Sequence, residues 1–112
     1  MSFAVERTSR PDGTCVAVAG EVDIDTAPRM SRALAAGLAA GRPVVVDLGA
    51  VTFMDSAGLS ALIAAHKAAA AAGLTCRLQD LPPAVRRLLE VTGMDSLLVV
   101  MPPADRLPAD SG

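Results

Sequence analysis

The sequence predicts a single α/β domain whose mostly parallel sheet starts with an antiparallel N-terminal hairpin strand. Three observations carry that expectation. Short valine-rich runs alternate along the chain with segments of helical period. Val44-Val45-Val46-Asp47-Leu48 is almost continuously apolar, as a central and mostly covered strand should be. Pro11-Asp12-Gly13 reads as a tight turn between two strand-like runs. A chain of 112 residues has room for one core of this kind and not for two.

Taken in order, Ala4 to Thr8 pairs across that turn with Cys15-Val16-Ala17-Val18-Ala19, which ends at Gly20. An acidic corner follows, Glu21-Val22-Asp23-Ile24-Asp25, and Asp25 or Thr26 caps a first helix with Pro28 in its opening turn. Ala27, Met30, Leu34 and Leu38 share one face of it, and Gly41 and Pro43 end it. After the central strand, Gly49 to Met54 reads as a loop leading to a second helix that starts at Asp55 or Ser56. Leu59, Leu62, Ile63 and Ala70 form its buried face, and Gly73 closes it. Leu74 to Gln79 is a strand. Pro82-Pro83 opens a third helix with Val85, Leu88 and Leu89 inward and Arg86, Arg87 and Glu90 outward. Gly93 ends that helix, and Leu97 to Val100 is the last strand. The order is β-β-α-β-α-β-α-β over residues 3–101, with the proline-bearing tail 102–112 expected to fray. In open parallel sheets function gathers beyond the carboxyl ends of the strands. That directs attention to the acidic segments Gly20 to Thr26 and Gly49 to Ser56.

Composition excludes several functions. Apolar residues make up 52% of the chain, yet no run approaches the ~18 of a membrane span. The first residues lack the basic flank and apolar core of a secretory signal, so a cytoplasmic protein is expected. Net charge is −2 and the aromatic residues are two phenylalanines, Phe3 and Phe53, which does not fit a nucleic-acid binder. Cys15 and Cys76 lie in strand-like runs and read as buried thiols. Two cysteines and one histidine at wide spacing do not make a zinc site.

Ser56 stands where a loop becomes a helix, amid unpaired N–H groups and the positive end of the helix dipole. From the residues alone two readings of it stand. It is a plain N-cap worth about 1 kcal/mol, or it is a phosphoacceptor whose added charge the helix terminus tolerates. Serine-histidine catalysis is excluded, because His66 lies ten residues along the same helix, roughly 15 Å away. Nucleophile and base must meet within ~3 Å. No phosphate-cradling glycine motif is present. A response-regulator receiver would need Asp47 as acceptor and a lysine after a late strand, but the lone Lys67 falls within a helix.

The run Val44 to Leu59, with Asp55-Ser56-Ala57-Gly58 at its end, resembles the signature of the STAS domain, specifically of bacterial anti-sigma factor antagonists. Gly20-Glu21-Val22-Asp23 with Thr26-Ala27 is similar to that family's first conserved loop. Pro83 to Leu88 and Thr92-Gly93-Met94 are similar to its last helix and exit. Ser60, where glycine is common, and Asp95, where an apolar residue is common, are departures. The resemblance implies a protein without catalysis or cofactor of its own, which switches partners. Ser56 would be phosphorylated by an anti-sigma factor that is an ATP-dependent serine kinase, and a PP2C-type phosphatase would reset it. ATP, Mg²⁺ and the phosphatase metal would belong to those partners, with no nucleic acid or membrane involved. Glu21, Asp23, Thr26, Met54, Asp55, Ser56, Ala57, Gly58 and Leu59 would form the partner-binding set. A second reading is a constitutive STAS interaction module in a signalling or transport assembly, whose serine is never phosphorylated.

Overall fold

The computed structural model describes residues 2–102. The expectation for the tail falls, beyond Pro102, outside the described residues. Five strands form one sheet in the order of the chain: β1 (Phe3–Arg10), β2 (Gly13–Val22), β3 (Val44–Met54), β4 (Cys76–Gln79) and β5 (Val99–Val100). The β1–β2 pair is antiparallel, and the pairs from β2 to β5 are parallel. Three helices cross over between them: α1 (Ala27–Ala39), α2 (Ser56–Ala71) and α3 (Pro83–Thr92). The expected element order and mixed sheet are therefore those observed.

The core lies between the helices and the strand residues of matching parity. Val16, Val18, Val44, Val46 and Leu48 meet Met30 and Leu34 of α1, Leu59 and Leu62 of α2, and Val85 and Leu89 of α3. Helices α1 and α2 also pack on each other. Close approach is arranged with glycine: a Cβ on Gly37 of α1 would come within 2.9 Å of Val44 Cγ2. On α2 the buried alanines are Ala61, Ala65 and Ala69, and Ala70 is exposed. The buried stripe was thus misplaced by one residue at its end, since a run of alanines gives hydrophobic periodicity little to lock onto. His66 is half-buried at the edge of that stripe. Cys15 and Cys76 are buried and lie on strands separated by β3, and burial pushes the Cys76 thiol up to about 11.

The largest departure from the sequence reading is at the strand ends. Gly49 to Met54 is not a loop but the second half of β3, and β2 runs through Gly20 and Glu21 to Val22. The two strands stay paired, with Ala19 beside Ala50, Gly20 beside Val51, Glu21 beside Phe53 and Val22 beside Met54. Between Ala17/Asp47 and Val22/Met54, β3 spends two more residues than β2, one at each of two bulges. The side chain of Asp47 serves the first bulge: its Oδ1 accepts the Gly49 N–H (2.9 Å), and its Oδ2 accepts from Gln79 Nε2 (3.1 Å). Asp47 is buried and engaged at both oxygens, which suits a structural residue and not a phosphoacceptor. Strand β4 starts at Cys76 rather than Leu74, and a 3-10 turn, Met94–Ser96, takes up chain before the short β5.

Candidate functional site

The bulged end of β3 delivers the start of α2 beside the end of β2. The Asp55 N–H donates to the Val22 carbonyl (3.1 Å), tying the two segments together. Asp55 has extended backbone angles (φ −105°, ψ −169°), as an N-cap requires. Its Oδ1 accepts from the N–H groups of Ala57 (2.8 Å) and Gly58 (3.4 Å). The cap is therefore Asp55, and Ser56 is the first helical residue, exposed to solvent. The plain N-cap reading of Ser56 does not hold, because its neighbour performs that task. Replacing Asp55 with Ala should cost about 1 kcal/mol, seen as a melting temperature lowered by roughly 4–6 °C. Asp55→Asn, which keeps an acceptor oxygen, should recover most of it.

The neighbouring segment is a braced turn. Asp23 Oδ1 accepts from the Asp25 N–H (2.9 Å) and the Thr26 N–H (3.1 Å). Thr26 Oγ1 accepts the Asp23 N–H (2.9 Å) and donates to the Glu21 carbonyl (2.8 Å). Thr26 occupies the N-cap position of α1, but its hydroxyl is turned back into this turn and caps no helix amide. Asp25, the other capping candidate, lies in the exposed turn.

The residues expected to meet a partner divide by depth. Ser56 is exposed, and Glu21, Asp23, Thr26, Asp55 and Ala57 are half-buried around it. Met54, Gly58 and Leu59 are buried and present no side chain to a partner. Their place is beneath the site: a Cβ on Gly58 would sit 2.7 Å from Met54 Cγ and 2.8 Å from Val22 Cγ1, so only glycine lets the first turn of α2 rest on both strands. Two exposed apolar residues were not among the expected set: Ile24 at the tip of the braced turn (76% exposed) and Phe53 beside Glu21 on β3 (48%). A sequence signal for Ile24 did exist, an isoleucine held between two aspartates off any helical or strand stripe. Among the described residues no group of three or more His, Cys, Asp or Glu could hold a metal ion, and no helix is long and apolar enough to cross a membrane.

Residues 5–100 match the family model described as "Mlab, STAS domain". The anti-sigma-B factor antagonist of Listeria monocytogenes is 31% identical over 102 residues, covering 89% of this chain and 90% of that protein. Among solved structures, an anti-sigma factor antagonist from Mycobacterium paratuberculosis superposes with a TM-score of 0.79 at 31% identity, covering 93% of this chain and 89% of the other. The fold is also that of the Bacillus protein SpoIIAA in its unphosphorylated form, with TM-score 0.73, 16% identity, and 93% and 91% of the two chains covered. SpoIIAA in its phosphorylated form gives a TM-score of 0.68 at 15% identity, with 93% and 95% covered.

Proposed function

The chain belongs to the STAS domain family, and from that premise we propose that it is an anti-sigma factor antagonist controlled by phosphorylation of Ser56. In this reading the unphosphorylated chain binds an anti-sigma factor that is also a serine kinase, and so releases a sigma factor in the cytoplasm. The kinase supplies ATP and Mg²⁺, a PP2C-type phosphatase removes the phosphate, and the chain is their substrate rather than an enzyme.

One observation carries the proposal. Ser56 is exposed at the first position of a helix whose capping is done by Asp55, so its hydroxyl is open to a kinase without loss of the cap. A phosphate there adds about −1.5 to −2 charges at a terminus whose dipole favours anions, so the fold stays intact while the surface changes. Two relatives at 31% identity support the partner class, since the Listeria and Mycobacterium proteins are antagonists of anti-sigma factors by name.

The test is to incubate the protein with purified serine-kinase anti-sigma factors and ATP, then map phosphate by mass spectrometry. A single phosphate on Ser56, absent in Ser56→Ala, is expected. No phosphate with any such kinase would shift the reading to a constitutive STAS interaction module.

A further inference from the structure

We propose that Ile24 is the apolar anchor of the partner interface, seated in an apolar socket on the anti-sigma factor whose rim carries lysine or arginine. This rests on the antagonist reading above and adds to it the residue that holds the partner. Single exposed apolar residues are ordinary on protein surfaces, and Val91 on α3 is as exposed as Ile24, at 75% against 76%. Two features set Ile24 apart.

The first is rigidity. Ile24 sits in a turn braced on both sides, with Asp23 Oδ1 holding the amides of Asp25 and Thr26, and Thr26 Oγ1 bridging Asp23 and Glu21. A side chain presented from such a turn loses little backbone freedom when a partner covers it, which is the condition for an efficient anchor. The second is position. The bond from the Asp55 N–H to the Val22 carbonyl ties the residue two before Ile24 to the residue before Ser56, so the turn and the start of α2 leave the sheet from one tied point.

Charge gives the socket its chemistry. Ile24 lies between Asp23 and Asp25, with Glu21 close behind and Asp25 exposed. A socket without basic groups would leave these carboxylates facing an apolar rim at a desolvation cost, whereas a basic rim complements them. The partner footprint then has two ends. A basic-rimmed socket covers Ile24, and the catalytic end of the kinase, with its nucleotide phosphates, faces Ser56.

The experiment uses the purified anti-sigma factor kinase that phosphorylates Ser56, with the wild-type chain and the variants Ile24→Ser, Ile24→Met and Val91→Ser. Ile24→Ser is expected to raise Kd roughly 10- to 50-fold, from the apolar area it withdraws. It should raise the KM for the chain as kinase substrate with kcat unchanged. Ile24→Met should stay within about threefold of wild type and Val91→Ser within about twofold, with all three thermal melts unaltered. Asp25→Lys should weaken binding further, and tighter binding by it would overturn the basic rim. If wild type is bound and phosphorylated and Ile24→Ser performs equally, the anchor is wrong while the antagonist reading stands. If no kinase binds or phosphorylates wild type, the antagonist reading fails and the anchor falls with it.

Discussion

Ser56→Asp should weaken binding to the anti-sigma factor by about a hundredfold while leaving the thermal melt at or slightly above that of wild type. The melt is protected because a carboxylate in the first turn of a helix meets the positive end of its dipole, a favourable contact of about 0.3–1 kcal/mol. The loss of binding comes from what a kinase must bring to this serine, a carboxylate base for its proton and a nucleotide phosphate to transfer. Against one such anion ~6 Å away, an effective dielectric of ~20 gives roughly 3 kcal/mol of repulsion per unit charge. At ~1.4 kcal/mol per decade that is on the order of a hundredfold in Kd. True phosphoserine, with nearly twice the charge, should do more. Ser56→Ala isolates the cause: it should bind like wild type and accept no phosphate. Calorimetric titration of the three proteins decides the matter, and equal affinities for Ser56→Asp and wild type would show that charge at this position is not the switch.

Gly20→Ala should be the most destabilising small substitution in the site region. Gly20 has φ +89°, where a Cβ costs about 1–2 kcal/mol by itself. The larger penalty is a collision. The added Cβ would fall 1.8 Å from the Ser2 carbonyl oxygen and 2.7 Å from its carbon, both backbone atoms that cannot swing aside. Relief requires the start of β1 to move off β2, sacrificing the bond from the Glu21 N–H to Ser2 O (3.3 Å) and the end of the Phe3–Gly20 ladder. A total of about 3–4 kcal/mol follows, at the upper end of single-residue effects, or a melting temperature lower by roughly 12–24 °C. Gly41→Ala is the matched control. Its φ is +77° but nothing lies within 4 Å, so only the backbone cost of about 1 kcal/mol should appear. Urea melts in which the two variants behave alike would mean that β1 yields freely at its start.

How much of this was readable from residues alone depends on what kind of force decides each feature. The three helices were legible because glycine and proline punctuate them: Gly41 and Pro43, Gly73, Pro82-Pro83 and Gly93 act locally. The second half of β3 was not. Its inward residues are Leu48, Val51 and Met54, three apart, because two bulges break the two-residue alternation by which strands are recognised. The Asp55-Ser56 pair offered two adjacent capping side chains, and only the extended backbone at Asp55 chooses between them. The burial of Met54 and Gly58 depends on how separate segments stack, which a linear pattern does not carry. The resemblance to a family directs attention to the strand ends, but it does not separate the buried residues there from the exposed ones.

The two surplus residues of β3 imply that a tidier version of this molecule would be a poorer one. Removing Gly49 and Thr52 would let β3 march in step with β2 and gain ladder hydrogen bonds. It would also shorten the strand's path by about 7 Å at ~3.3 Å per residue. The head of α2 would then be pulled back from the braced turn, and the surface now shared by two segments would come apart. Local irregularity is here what sets the head of α2 beside the end of β2, and selection for stability alone would erase it.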